Sequence, residues 1–354
     1  MFDIKTLLSV AVQKEASDLH LAFGVPPVLR IHGALLPLKE FGTLDGNAIK
    51  EMVFSILTDA QKEKFTNELD LDFSLHLPQL GRFRVNIYIA QQKVGASFRV
   101  IPTKIKTLKE LGLPAIISQL CMRKDGLILI TGPTGSGKTT TLASMVELIN
   151  QARNCRIVTI EDPIEYVLYH KKSMIIQREV YQDTKSFPVA LIQSLRQDPN
   201  VICLGEMRDL DTIQTALRAA ETGHLVISTL HTPNSIETIN RIIDVFPPYQ
   251  HEQIRTQLAS CLGAVVAQKL LLRRDKRDRV VATEVLLSTH AVKHLIREQK
   301  TEQISTIIET GMNMGMHTMD SSIIDLYKKG IIDREVASSE LANKENRKKL
   351  ESAI

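Results

Sequence analysis

Hydrophobic and polar positions follow two different rules along this chain. Over the first hundred residues LDFSLHL, RFRVNIYIA and VGASFRVI alternate with period two, which predicts antiparallel strands with one buried face. Phe83, Val85, Ile87 and Ile89 fall on one side of the second segment, and Arg82, Arg84 and Asn86 on the other. A turn at Gln91 to Lys93 then puts Val94, Ala96, Phe98 and Val100 on the buried side of the third, with Arg99 open, so Arg82, Arg84 and Arg99 share a face. A short helix at 3–15, strand-like pieces at 18–23 and 28–32 around the turn GVPP, and helical stretches within 45–67 complete a small α+β domain over 1–100. The segment IPTKIKTLKELGLPA, 101–115, is broken by prolines and glycines and is expected to be a hinge.

After the hinge, apolar runs alternate with longer helical segments. LILIT precedes a helix over 138–152, RIVTI follows it, VICL precedes a helix near 209–221, and HLVIST precedes one near 234–244. Such alternation predicts an α/β domain over 116–354, with a mostly parallel sheet covered by helices and ligands at the carboxyl ends of the strands. The charged tail ANKENRKKLESAI is expected to be helical.

Composition narrows the picture. With 354 residues, 44% hydrophobic and 24% charged, the chain can bury two cores. No apolar run approaches the ~20 residues that span a bilayer; the longest uncharged one, Thr256 to Gln268, is too short. MFDIKTLLSVAVQKE lacks the basic region of a secretory signal, so a cytoplasmic protein is expected. Cys121, Cys155, Cys203 and Cys261 are far apart, as reduced core residues are, without the spacing of a zinc site or disulfide frame. His251-Glu252 lacks the second histidine of an H-E-x-x-H helix. The net charge of +4 equals that of one stretch, KLLLRRDKRDR at 269–279, which reads as a solvated turn between strands or as a contact for an acidic partner or membrane surface.

The sharpest chemical signal follows LILIT. GPTGSGKTT, comprising Gly132, Pro133, Thr134, Gly135, Ser136, Gly137, Lys138, Thr139 and Thr140, matches G-x-x-x-x-G-K-[ST] with a strand before it and a helix after it. Its glycines let successive N–H groups point inward at the positive end of the following helix, which makes an anion cradle. Lys138 would reach the β- and γ-phosphates, and the Thr139 hydroxyl would take a place on Mg²⁺. ATP is expected over GTP, because Asn343-Lys344 continues as Glu-Asn, without the Lys-x-Asp of a GTPase. Other strands should then end in catalytic groups: RIVTI runs into Glu161, Asp162 and Glu165, VICLG into Glu206, and HLVIST into His231. In VICLGEMRD, however, Gly205 stands where nucleotide hydrolases usually carry an aspartate.

These segments together resemble the secretion and type IV pilus ATPase superfamily, most of all its PilT-type pilus-retraction members. The likeness runs through SDLHLAFGVPPVLRIHG, GRFRVN, the phosphate loop, TIEDPIEY, LRQDPNVICLGEMRD, ETGHLVISTLHT and AVKHLIRE. It implies a RecA-like C-terminal domain preceded by a PAS-like α+β domain. It also implies that Gly205-Glu206 is the regular form of the second acidic motif, with Glu206 acting at the metal and the attacking water. Glu161, Asp162 and Glu165 fall on the family's aspartate box, and His224 and His231 on its histidine box. His231 would sense the γ-phosphate and His224 orient the motif. Arg82, Arg84 and Arg99 match the arginines that reach a neighbouring subunit's nucleotide. The retraction-associated motif AIRNLIRE appears as AVKHLIRE, departing at Val292, Lys293 and His294.

The resemblance further implies a Mg²⁺-dependent homohexameric ATPase at the cytoplasmic face of the inner membrane, acting on a pilus platform protein there. A second retraction ATPase is a possible companion, and the accessory retraction ATPase is the nearest alternative within the superfamily. A nucleic-acid translocase and a non-hydrolysing regulatory subunit are the alternatives from other classes. The absence of tryptophan and the scarcity of aromatics argue against the first, and the full set of catalytic residues against the second.

Overall fold

The computed structural model describes residues 3–348 except His32, Thr103, Arg277 and Lys344. Contacts divide the chain into two units, Met1–Lys104 with Pro163–Val167, and Ile105–Asp162 with Leu168–Ile354. In the segment expected as a hinge, Leu108 and Leu113 are buried in the core of the second unit. Thr107 and Glu110 close a turn there, the Thr107 N–H donating to Glu110 Oε2 at 2.7 Å and the Glu110 N–H to Thr107 Oγ1 at 3.2 Å. Thr103, also in that segment, lies outside the described residues.

In the first unit, alternation becomes strand pairing. The strands are β1 (Asp18–Leu21), β2 (Val28–Ile31), β3 (Ala34–Pro37), β4 (Asp70–Leu77), β5 (Gly81–Ala90) and β6 (Lys93–Ile101). They form an antiparallel sheet in the order β3-β2-β1-β6-β5-β4. Phe83, Val85, Ile87, Val94, Ala96 and Phe98 are buried as the pattern requires; Ile89, beside the β5–β6 turn, is exposed, and Val100 is half-buried. The helices Ile4–Gln13, Gly46–Phe54 and Asp59–Glu68 add Leu7, Leu8, Ile49, Val53 and Phe65 to this core. Each starts where a side chain accepts from otherwise unpaired N–H groups of the first turn: Asp3 from Thr6, Asp45 from Asn47 and Ala48, and Thr58 from Gln61 in a capping box.

The second unit holds β7 (Gly126–Thr131), β8 (Arg156–Glu161), β9 (Met174–Glu179), β10 (Val201–Leu204), β11 (Leu225–Leu230), β12 (Leu262–Leu272) and β13 (Arg279–Leu287). Their order is β13-β12-β7-β11-β10-β8-β9, parallel throughout except for the β12–β13 pair. This is the expected RecA-like sheet. Every position of β7, β10 and β11 is buried, because helices cover both faces. Lys138–Ala152 and Ala115–Cys121 contribute to the core on one face, while Leu210–Glu221, Ser235–Asp244 and His251–Cys261 pack on the other. From β7 the chain crosses past β11 and β10 to reach β8, and later returns to β7's other side as β12, so the order switches at β7. Open α/β sheets bind ligands outside the carboxyl ends at such a switch.

The uncharged run at 256–268 divides between the helix His251–Cys261 and β12. Of the basic stretch, Lys269–Leu272 lies within β12, Arg279 opens β13, and the Arg273 N–H bonds to the Asp278 carbonyl between them. Arg274 pairs there with Asp333 at 3.3 Å, while Arg277 lies outside the described residues. In the tail 345–348 is helical, and Lys344 and 349–354 lie outside the described residues. Cys121, Cys203 and Cys261 are buried and Cys155 is half-buried. Among the described residues no helix is long and apolar enough to cross a membrane.

Burial also sets an acid limit on stability. His317 sits beside β13, its Nε2 within 2.9 Å of Thr283 Oγ1, and desolvation holds its pKa below the ordinary value against the opposing pull of Gly315, Glu284 and Asp325. A depressed native pKa means that the unfolded chain binds the proton more readily. The stabilisation is therefore complete above the free imidazole value of about 6.5 and is lost as pH falls through it toward the native value. Thermal melting between pH 7.5 and 5 should show a falling midpoint, and His317→Gln should flatten the acid side of that curve.

Candidate nucleotide-binding site

The loop after β7 owes its shape to small residues. Gly132 has φ 142°, and a Cβ there would lie 2.3 Å from the Gln268 carbonyl oxygen and 2.7 Å from Ser136 Oγ, so no side chain fits. Gly137, at φ 88°, turns the chain in the left-handed region directly into the helix Lys138–Ala152. Pro133, Thr134 and Gly135 are exposed, Ser136 and Lys138 are buried, and Thr139 and Thr140 are half-buried in the first helical turn.

The Lys138 ammonium donates to the carbonyls of Gly132 at 2.8 Å and Pro133 at 3.0 Å. Desolvation lowers its pKa, and the Glu206 carboxylate pulls the other way. A cation partly stripped of water beside a glycine-lined turn is chemically suited to a polyphosphate. Ser136 Oγ fits the same ligand, being a buried hydroxyl with no hydrogen-bond partner among the described residues.

Glu206 reaches this edge because its backbone is tied to both neighbouring strands. The Gly205 N–H donates to the Ile160 carbonyl at 2.8 Å, Thr229 Oγ1 donates to the Gly205 carbonyl at 2.6 Å, and the Met207 N–H donates to the Thr229 carbonyl at 3.1 Å. A Cβ on Gly205 would make ordinary contacts, 3.5 Å from Glu161 Cα, but a longer side chain would be aimed toward the end of β8. The carboxylate one residue later has room. Glu206 Oε1 lies 2.7 Å from Arg208 Nε and Oε2 lies 3.3 Å from His231 Nε2. A carboxylate only accepts, so Nε2 carries the hydrogen. In the neutral ring Nδ1 then accepts from the Thr134 hydroxyl, 3.5 Å away at the limit of reach. Phosphate loop, histidine and acid are thus joined.

The remaining predicted residues are distributed as follows. Glu161 ends β8, its Oε1 accepting from Thr159 Oγ1 at 2.6 Å and Gln177 Nε2 at 3.0 Å, and Asp162 follows it. Glu165 lies in Pro163–Val167, which groups with the first unit. His224 is not in the cluster. It precedes β11, with Nδ1 2.9 Å from the Ala219 carbonyl oxygen, whereas His231 follows that strand. Six strand residues separate them by roughly 20 Å at ~3.3 Å each. It thus stands at the end of the strand away from the loop, and of the two histidines only His231 joins the cluster. In the first unit Arg84 stands opposite Arg99, with Arg82 on the same face of β5, and Arg99 Nε donates to Asp18 Oδ1 at 3.0 Å.

Two contributors carry no signal of their own in the sequence. Arg208 was visible only as part of VICLGEMRD, and Gln268 lay in an apolar run read for its length. Among the described residues no three acids, histidines or cysteines form a metal cluster. Mg²⁺ does not require one, since it is commonly held by one or two carboxylates together with nucleotide phosphates. A threonine hydroxyl beside the loop and a carboxylate facing Lys138 suit that mode.

The chain matches the family described as "Type II/IV secretion system protein" over residues 2–351. It belongs to that family. Within it, the chain is 42% identical over 344 residues to the Pseudomonas aeruginosa "Type IV pilus retractation ATPase PilT", covering 97% of this chain and 99% of that one. It is 43% identical over 346 residues to the Neisseria gonorrhoeae "Twitching motility protein", covering 98% and 92% respectively. A solved secretion-family structure, the "Pilus Retraction Motor PilT and Bound ADP", superposes with a TM-score of 0.93 at 44% identity, covering 99% of this chain and 100% of that one. The likeness to the retraction members of the type II/IV secretion family, read from the motifs, is borne out over nearly the whole chain.

Proposed function

We propose that this chain is an ATP hydrolase of the pilus-retraction type, a Mg²⁺-dependent homohexameric motor that withdraws type IV pili. Its enzymatic part rests on the carboxyl edge of the parallel sheet, where Thr134, Lys138, Glu206 and His231 converge. Lys138 would exchange the Gly132 and Pro133 carbonyls for phosphate oxygens, and the loop's N–H groups would hold the rest of the polyphosphate. Mg²⁺, held by Thr139 and Glu206 together with the nucleotide, would neutralise charge on the transferred phosphoryl group. Glu206 would orient the attacking water, aided by the carboxylates of Glu161, Asp162 and Glu165. His231 stands between loop and acid and would report to Glu206 whether a γ-phosphate is present.

The mechanical part rests on kinship with the retraction ATPases. Arg82, Arg84 and Arg99 would be offered to a neighbouring copy's nucleotide, with the start of the 101–115 segment, ahead of the buried Leu108, as the hinge between the two domains. Successive closures around the ring would drive an inner-membrane platform protein from its cytoplasmic face, alone or with a second retraction ATPase. Sedimentation and turnover of the purified chain should give a hexamer that hydrolyses ATP only with Mg²⁺. A deletion strain should carry excess surface pili and lose surface motility. Bald cells would refute retraction, and a purified chain without turnover would refute the enzyme.

A further inference from the structure

β12 runs parallel to β7, pairing Val266 with Ile130 and Ala267 with Thr131, so its next residue lies beneath the start of the phosphate loop. That residue is Gln268, with 1% of its surface exposed. Its Nε2 donates to the Ser136 carbonyl oxygen at 2.8 Å. The Gln268 backbone carbonyl oxygen fills the space a Cβ on Gly132 would need, and Nε2 lies 3.4 Å from where a Cβ on Gly137 would be. One residue of a neighbouring strand thus meets the loop at both its glycine ends.

Burying a primary amide is costly, and here Oε1 has no partner among the described residues, so only the donor half of the amide is satisfied. An apolar residue of this size would avoid that cost. The bond to Ser136 has a geometric effect, however. A peptide is planar and trans, so its C=O and N–H point in opposite directions. Drawing the Ser136 carbonyl toward β12 turns the Gly137 N–H away from the strand, toward the side where the loop can hold an anion. Gly137, in the left-handed region, has no side chain to restrict its backbone, so a bond from outside the loop contributes to fixing that orientation.

We propose that Gln268 is a positioning residue for nucleotide binding, pinning the Ser136 carbonyl so that the Gly137 N–H is set toward the nucleotide phosphates before they arrive. The proposal rests on the reading of this loop as the phosphate site. Gln268 touches no reacting atom. It acts by removing a rotation that binding would otherwise have to freeze.

The test is Mg–ADP affinity of the full chain measured by calorimetry from pH 6 to 9, for the parent, Gln268→Leu and Gln268→Glu. Leucine keeps the volume but leaves the Ser136 carbonyl buried and unpaired, and should weaken affinity on the order of tenfold at every pH. Glutamate buried here titrates well above the usual carboxylate range. Protonated, it can donate to Ser136 and should bind nearly as the parent does at pH 6; ionised, it repels that oxygen and should fall to the leucine level or below by pH 9. A purely structural role would not make affinity follow the variant's own protonation. Gln268→Leu binding within twofold of the parent overturns the proposal, as does a Gln268→Glu affinity that keeps a fixed ratio to the parent across the range. Should the leucine variant fail to fold, the glutamate profile decides. A parent that binds no Mg–ADP sinks the phosphate-site reading itself, a result distinct from either.

Discussion

Lys138→Ala should remove measurable ATP and ADP binding while leaving the fold intact. The buried ammonium donates to carbonyls of its own loop, and the carboxylate that feels its charge, Glu206, keeps Arg208 as a partner when it is lost. On the proposed reading the nucleotide, in contrast, would lose the buried ammonium of the cradle. Truncating one member of a buried, hydrogen-bonded charge pair costs about 2–5 kcal/mol, which is roughly thirtyfold to several thousandfold in Kd. Fluorescent-nucleotide titration would read this directly, and an unchanged melting curve without nucleotide would confirm that the loss is local. An alanine variant that binds ATP at the parent affinity would place the phosphates elsewhere.

Glu206→Gln should have the opposite signature, with near-normal binding and turnover reduced by about 10²–10⁴-fold, the usual contribution of a positioned acid or base. The amide keeps the size of the carboxylate and can still accept from Arg208 or His231, so the cluster's geometry survives. What it would lose, on the proposed reading, is the negative charge that orients water and takes up a proton. Single-turnover measurements on the parent and variant separate the chemical step from release. A variant that hydrolyses ATP at the parent rate would leave Glu206 without a catalytic role.

The sequence revealed most where a local rule had only one structural solution. The glycines before Lys138 were legible as a loop between strand and helix, because the motif and the flanking apolar and helical patterns agree there. That Arg82, Arg84 and Arg99 share a face followed from alternation, but their register did not: Lys93 belongs to β6 and not to the turn, and this sets Arg84 opposite Arg99. β3 and β9 were missed for the same reason in reverse: Ala34–Pro37 is exposed at all its positions, and MIIQRE at the sheet edge neither alternates nor forms a solid apolar run. The run at 256–268 could not be divided because a buried helix and a buried strand share an apolar composition, and only packing decides at Leu262. The separation of His224 from His231 was not legible because a motif gives order along the chain but not which end of a strand faces the ligand. Gln268 was invisible because its partner, the Ser136 carbonyl, is distant in sequence.

Core placement of the sulfurs determines how this chain meets oxidative stress. Burial pushes the thiols of Cys121 and Cys261 up to about 12, and that of Cys203 well above its ordinary value. Thiolate is the form that peroxides and alkylating agents attack. In the native molecule these sulfurs are therefore inert, and their oxidation records that the core has already opened.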